Sequence, residues 1–107
     1  LIIKKGEHGA LLFGEKQAFY VPAIPVESVV DPTGAGDSFA GGLIGYLAKT
    51  KDTSFENIKR AVVQGTVMAS FCVQKFGIEG LVGITQRDIH CRTKELVELV
   101  KFAPELK

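Results

Sequence analysis

The chain has 107 residues, of which 46% are hydrophobic and 23% charged, with a formal net charge of +1. That length supports one hydrophobic core, in a single domain or a part of one, and the composition excludes a disordered chain. The near-neutral balance lacks the basic field that nucleic-acid binding draws on, and the apolar stretches at 61–63 and 67–73 are broken by Gln64, Gly65, Thr66 and Ser70, well short of the roughly 20 residues of a membrane span, so neither nucleic acid nor membrane is expected as a partner.

Residues 1–4, 10–13 and 18–21 are short apolar runs separated by the turn-rich segments 5–9 and 14–17, the pattern of a small antiparallel meander. Pro22 and Pro25 then mark an extended crossing, and 26–30 reads as a short strand. From Ala35 to Lys49, Phe39, Ala40, Leu43, Ile44, Leu47 and Ala48 recur at helical spacing. Gly41, Gly42 and Gly45 interrupt that helix at about 1 kcal/mol each relative to alanine, which points to a backbone or a ligand passing close by. Thr53-Ser54-Phe55-Glu56 has the form of a capping box opening a long helix to about Phe76. Ile58, Val62, Ala69, Cys72, Val73 and Phe76 form its apolar stripe, widened by Val63, Val67 and Phe71, so this helix should be largely buried. Thr85-Gln86-Arg87-Asp88 repeats the capping pattern before a last amphipathic helix through Phe102.

The order is strands, then a strand–glycine loop–helix unit, then two helices, which is part of a layered α/β domain. Cys72 and Cys91 are too few for a disulfide framework and lack zinc spacing, so a reduced, cytoplasmic setting fits. The chain starts inside a strand, with neither an initiator Met nor a signal peptide, and reads as a piece of a longer protein.

The chemistry concentrates in Asp31-Pro32-Thr33-Gly34-Ala35-Gly36-Asp37-Ser38. Small residues at the start of a helix leave backbone N–H groups accessible, and the positive end of the helix dipole adds to them, so the segment suits a phosphate. Gly34 and Gly36 can take left-handed conformations and let a ligand approach. Asp37, a carboxylate on the same turn, can accept a proton from a substrate hydroxyl. Together these features describe phosphoryl transfer. The plainer alternative is that Asp37 caps its helix and the glycines make a turn; local chemistry leaves both open. A Walker A loop is excluded because Gly36 is followed by Asp37-Ser38, and a dinucleotide fingerprint because its third glycine would fall on Phe39.

The run from Val30 through Asp37 to Gly42 resembles the second signature of the PfkB/ribokinase family of carbohydrate and nucleoside kinases. The resemblance implies the C-terminal part of a ribokinase-like three-layer α/β/α domain, with 1–107 as a partial kinase domain holding the nucleotide and the catalytic base. It makes Asp37 the base and the amides of Gly34, Ala35 and Gly36 the anion hole for the γ-phosphate. It places Asp31 and Thr33 near a monovalent cation, possible K+ dependence included. The strand at 2–9 resembles the family's nucleotide-bordering turn, with Lys5, Gly6 and Gly9 beside the nucleotide. The segment 64–77 resembles the helix that flanks adenine, with Gln64, Gly65 and Thr66 as its nearest contacts.

The resemblance further implies an ATP-dependent phosphotransferase acting on an alcohol group of a sugar, with Mg2+ neutralising the phosphates. The alternatives are a nucleoside kinase of the same family or a non-catalytic nucleotide-binding fragment. The family's first glycine-rich signature, most acceptor contacts, its magnesium-associated motif and the lid strands through which a homodimer would form have no counterpart in these residues. By themselves they are not expected to hold the acceptor.

His8 in a polar turn and His90 on a charged helix read as solvated side chains. Cys72, Met68, Phe71 and Phe76 read as packing. Lys4 and Lys5 are open between a surface role and assistance to phosphates.

Overall fold

A computed structural model describes residues 1–4, 8–25, 34–74 and 81–103. Three strands, β1 (Ile2–Lys4), β2 (Ala10–Phe13) and β3 (Ala18–Val21), form an antiparallel sheet in the order β1-β2-β3. The register pairs Ile2 with Leu12 and Lys4 with Ala10, then Ala10 with Val21 and Leu12 with Phe19. Because paired residues share a face and alternate residues switch faces, Ile2, Lys4, Ala10, Leu12, Phe19 and Val21 point one way. Ala10, Leu12 and Val21 are buried on that side, while Ile3, Phe13 and Tyr20 on the other are 40–51% exposed. The expected meander is present; the expected strand at 26–30 lies outside the described residues.

Three helices follow: α1 (Ala35–Thr50), α2 (Phe55–Val73) and α3 (Gln86–Val100). The core joins the inner sheet face to Phe39 of α1, Val62 and Val67 of α2, and Leu96 of α3. Val62, Val67 and Cys72 are completely enclosed, as the apolar stripe predicts. Asn57, Thr66 and Ser70 are buried with them, which an apolar pattern does not anticipate. Each is satisfied locally. The Asn57 side chain donates to the Thr50 hydroxyl and the Asp52 carbonyl, Thr66 donates to the Val62 carbonyl, and Ser70 to that of Val67. A buried polar group without such a partner would cost about 1–3 kcal/mol.

The start of α2 corrects the sequence reading. Its cap is Ser54, whose hydroxyl accepts from the Asn57 amide at 3.3 Å, while Asp52 accepts from the Ser54 amide at 2.9 Å. Thr53 stands one residue too early, because its neighbour already occupies the extended position that a cap requires. At α3 the expected box is present in full: Thr85 accepts from the Asp88 amide and Asp88 from the Thr85 amide.

Helices α1 and α2 cross at glycine. A methyl group at Gly42 would stand 2.9 Å from Met68 Cγ and 3.1 Å from the Gln64 carbonyl oxygen, and one at Gly65 would stand 2.7 Å from that of Phe39. Two helices can approach this closely only where neither carries a Cβ. At Gly41 and Gly45 the corresponding positions are open, with nothing within 4 Å. Of the three mid-helix glycines of α1, Gly42 meets the neighbouring helix and Gly41 and Gly45 leave space.

Helix α3 is fastened to α2 by Arg92. Its guanidinium lies 3.9 Å over the Phe71 ring and donates to Ser70 Oγ at 3.1 Å and Gln74 Oε1 at 2.7 Å.

Candidate active site

The first turn of α1 is built differently from those of α2 and α3. Its cap, Gly34, is left-handed at φ 85° and supplies no side-chain hydrogen bond. The earliest intrahelical bond runs from the Ser38 amide to the Gly34 carbonyl at 2.9 Å. Amides before Ser38 thus have no intrahelical acceptor, and Gly34, having no side chain, supplies no capping oxygen. Gly36, which the sequence allowed to be left-handed, is helical instead. A Cβ there would stand 2.7 Å from the ammonium at the end of the Lys4 side chain.

Beside this turn lies a cavity of about 700 Å³. The cap Gly34 and, from α1, Asp37, Ser38, Gly41, Gly42, Gly45, Tyr46 and Lys49 contribute to its wall, and α2 and α3 close the opposite side. The spacing of these residues keeps them on one side of a helix. The open glycines are what make this side a concavity. Asp37 is exposed in the first turn at the cavity edge, and Cys72 Sγ lies 3.7 Å from where a Cβ of Gly34 would be. The sequence expectation of Cys72 as a buried packing residue is met, and it packs directly beneath the glycine turn.

The residues singled out in the sequence do not all converge. Gly34 and Asp37 meet at the cavity, with Ala35 and Gly36 in the same turn. Gln64 reaches the cavity wall while its side chain donates to Thr93 Oγ1 at 3.2 Å. Gly65 is sealed against Phe39, and Thr66 is buried with its hydroxyl turned back on α2, so neither is brought to the cavity. Gly9 is left-handed at φ 92° and closes onto the backbone of Val21 and Pro22. Lys5, Gly6, Asp31 and Thr33 lie outside the described residues. His8 and His90 are exposed. Among the described residues no group of three or more His, Cys, Asp or Glu side chains is placed to hold a metal ion. Also among them, no helix is long and apolar enough to cross a membrane.

Sequence reasoning missed Ser38, Tyr46, Lys49, Leu81, Gln86 and Ile89 as cavity residues, and Met68, read there as packing, also lines the cavity. The signal available was the recurrence of Gly34, Gly41 and Gly45 with Asp37 and Ser38 on a single helical face. Which side of α1 faced a neighbour could not be read from it.

A glycine-bounded helix start, a carboxylate and a cavity thus lie side by side. The pfkB family carbohydrate kinase profile matches residues 1–81, and the chain belongs to that family. It is 32% identical over 79 residues to a nucleoside kinase of Methanocaldococcus jannaschii, covering 74% of this chain and 24% of that protein. It is 36% identical over 93 residues to a nucleoside kinase of Thermoplasma acidophilum, covering 87% and 29%. The fold is ribokinase-like. It superposes on the crystal structure of aminoimidazole riboside kinase from Salmonella enterica, complexed with aminoimidazole riboside and an ATP analog. That match has a TM-score of 0.74 at 29% identity and covers 86% of this chain and 30% of the other. The chain thus spans about a quarter to a third of the length of the relatives it matches.

Proposed function

We propose that the protein containing this chain transfers the γ-phosphate of ATP to an alcohol group of a sugar or of the sugar part of a nucleoside, with Asp37 as the base. The observation that carries this reading is the position of Asp37, exposed at the cavity edge on the same turn as the amides that follow Gly34, which has no side chain to cap them. An acceptor hydroxyl in the cavity gives its proton to Asp37 as its oxygen bonds to the γ-phosphorus. The bond from that phosphorus to the β–γ bridging oxygen breaks, and ADP leaves. Amides of the Gly34–Ala35–Gly36 turn face the charge that builds on the transferred group, where fixed donors stabilise it most.

ATP suits the turn because its phosphates need donors without intervening side chains. Mg2+ would neutralise those phosphates. K+ at Asp31 and Thr33, and nucleotide contacts at Lys5, Gly6, Gly9 and Gln64, belong to the same proposal. Thr66 is its weakest member, since its hydroxyl is already committed to α2. The relatives include sugar kinases as well as nucleoside and riboside kinases, which supports both acceptor classes.

The test is ATP consumption by the intact protein against a panel of sugars and nucleosides, for wild type and Asp37→Asn. Turnover with one acceptor that drops by about 10²–10⁴-fold in the variant, with ATP binding kept, is the expected result. Equal turnover in the two proteins removes Asp37 from the role of base.

A further inference from the structure

We propose that Gly65 is a positioning residue for phosphoryl transfer: it seats α1 on α2 at the height and rotation that aim Asp37 at the cavity, and Cys72 supports the Gly34 turn farther along the same seat. The inference rests on the phosphotransferase reading above and adds to it two residues that act through others. Gly65 lies inside α2 with helical backbone, where the helix by itself would favour alanine. Contact with α1 accounts for the glycine. A Cβ at Gly65 would stand 2.7 Å from the Phe39 carbonyl oxygen and 3.1 and 3.2 Å from two atoms of the Phe39 ring. From the other side, a Cβ at Gly42 would stand 3.1 Å from the Gly65 Cα. Backbone here rests on backbone, so no side-chain rotation can absorb a displacement.

The seat holds the turn that carries the chemistry. Phe39 follows Asp37 by two residues, and at about 3.6 residues per turn the two point to nearly opposite sides of α1. Phe39 is buried in the core and Asp37 is exposed at the cavity edge. Fixing Phe39 on Gly65 therefore fixes the direction of the carboxylate. Cys72 stands two turns beyond Gly65 on the same face of α2. It is enclosed, and its Sγ comes within 3.7 Å of where a Cβ of Gly34 would be. One face of α2 thus bears α1 and its cap under Gly34, Phe39 and Gly42. A shift of α1 at Phe39 carries Asp37 with it, and misplacing a reacting group by about 1 Å can cost on the order of 100-fold in rate.

The experiment uses the intact protein and compares wild type, Gly65→Ala, Asp37→Asn and the double variant by steady-state kinetics. Asn57→Ala, which loses buried hydrogen bonds at the start of α2, serves as a destabilised control away from the seat. Each kcat is taken per folded protein, well below the unfolding midpoint. Gly65→Ala should lower kcat on the order of 10- to 100-fold, with the KM of ATP and of the acceptor within about threefold. Asn57→Ala should keep kcat within about twofold of wild type. Because Gly65 acts through Asp37, its substitution should cost several-fold less once Asp37 is asparagine. An unchanged kcat in Gly65→Ala, a loss confined to KM, an equal loss in Asn57→Ala, or the same factor with and without Asp37 overturns the proposal. If Gly65→Ala does not fold, Cys72 decides. Cys72→Ala should lower kcat about 10-fold, and Cys72→Ser, which keeps a γ atom beneath Gly34, should recover most of it; a kcat that does not differ between the two overturns the proposal. Wild-type turnover in Asp37→Asn overturns the reading of Asp37 as base itself and is distinct from all of these outcomes.

Discussion

Gly65 lies so close to Phe39 that a methyl group on it would stand 2.7 Å from the Phe39 carbonyl oxygen. Backbone is on one side of that contact and cannot rotate away, so Gly65→Ala should cost about 1–3 kcal/mol, the range for overpacking. Gly41→Ala makes the opposite case. Nothing lies within 4 Å of its added methyl, which should gain up to about 1 kcal/mol of helix propensity while intruding into the cavity. Urea denaturation should show a lower midpoint for the first variant and an equal or higher one for the second, with turnover reduced in the second. Equal destabilisation of both would contradict the division of α1 into a packed and an open face.

Gly34 holds a left-handed conformation at φ 85°, with room around it. The cost of Gly34→Ala is therefore conformational, about 1–2 kcal/mol. If relief of that strain re-aims the first turn, phosphoryl transfer should fall by more than the stability loss explains. Wild-type turnover in Gly34→Ala would show that the turn does not depend on glycine.

Arg92 joins α3 to α2 through one stacked ring and two side-chain acceptors. Lysine keeps the charge but has no planar face to stack and no fork to reach Ser70 and Gln74 together. We expect both Arg92→Lys and Arg92→Ala to destabilise, the alanine variant by roughly 1–3 kcal/mol. Hydrogen exchange should accelerate in α3 while the α1–α2 crossing keeps its protection. Uniform acceleration through all three helices would mean that α3 does not open by itself.

Asp88 should titrate below the ordinary carboxylate value of 3.8, because the Thr85 backbone amide, and after it the Thr85 side chain, stabilise the ionised form. A group whose folded pKa is depressed contributes stability above its unfolded pKa and loses it as pH falls through the folded one. The capping contribution to α3 is therefore complete above 3.8 and disappears on acidification below it. An NMR titration of the Asp88 carboxyl should give a midpoint under 3.8, moved upward in Thr85→Ala. A midpoint at or above 3.8 in wild type would contradict the capping box.

Much of this was legible in the sequence because it depends on neighbours along the chain. The meander follows from apolar runs broken by turn residues, and the α3 box from Thr85 and Asp88 three positions apart. The glycine turn before Asp37 is local in the same sense, and it carried the family resemblance. Thr53 was mistaken for the cap of α2 because Thr53 and Ser54 are equally good cap residues. The choice falls to backbone conformation, extended at Ser54 with Asp52 folding back on it.

By itself the sequence determined the order of the elements, the apolar face of α2, and a turn of small residues next to a carboxylate. Only the tertiary structure decided what those features face. It sent Gly42 and Gly65 into a helix crossing, left Gly41 and Gly45 to hollow out a cavity, turned Thr66 inward, and brought Lys4 across Phe39 to Gly36. The physical reason is that helical periodicity fixes which residues share a face, whereas contact between distant segments is settled by packing the sheet and three helices around one core.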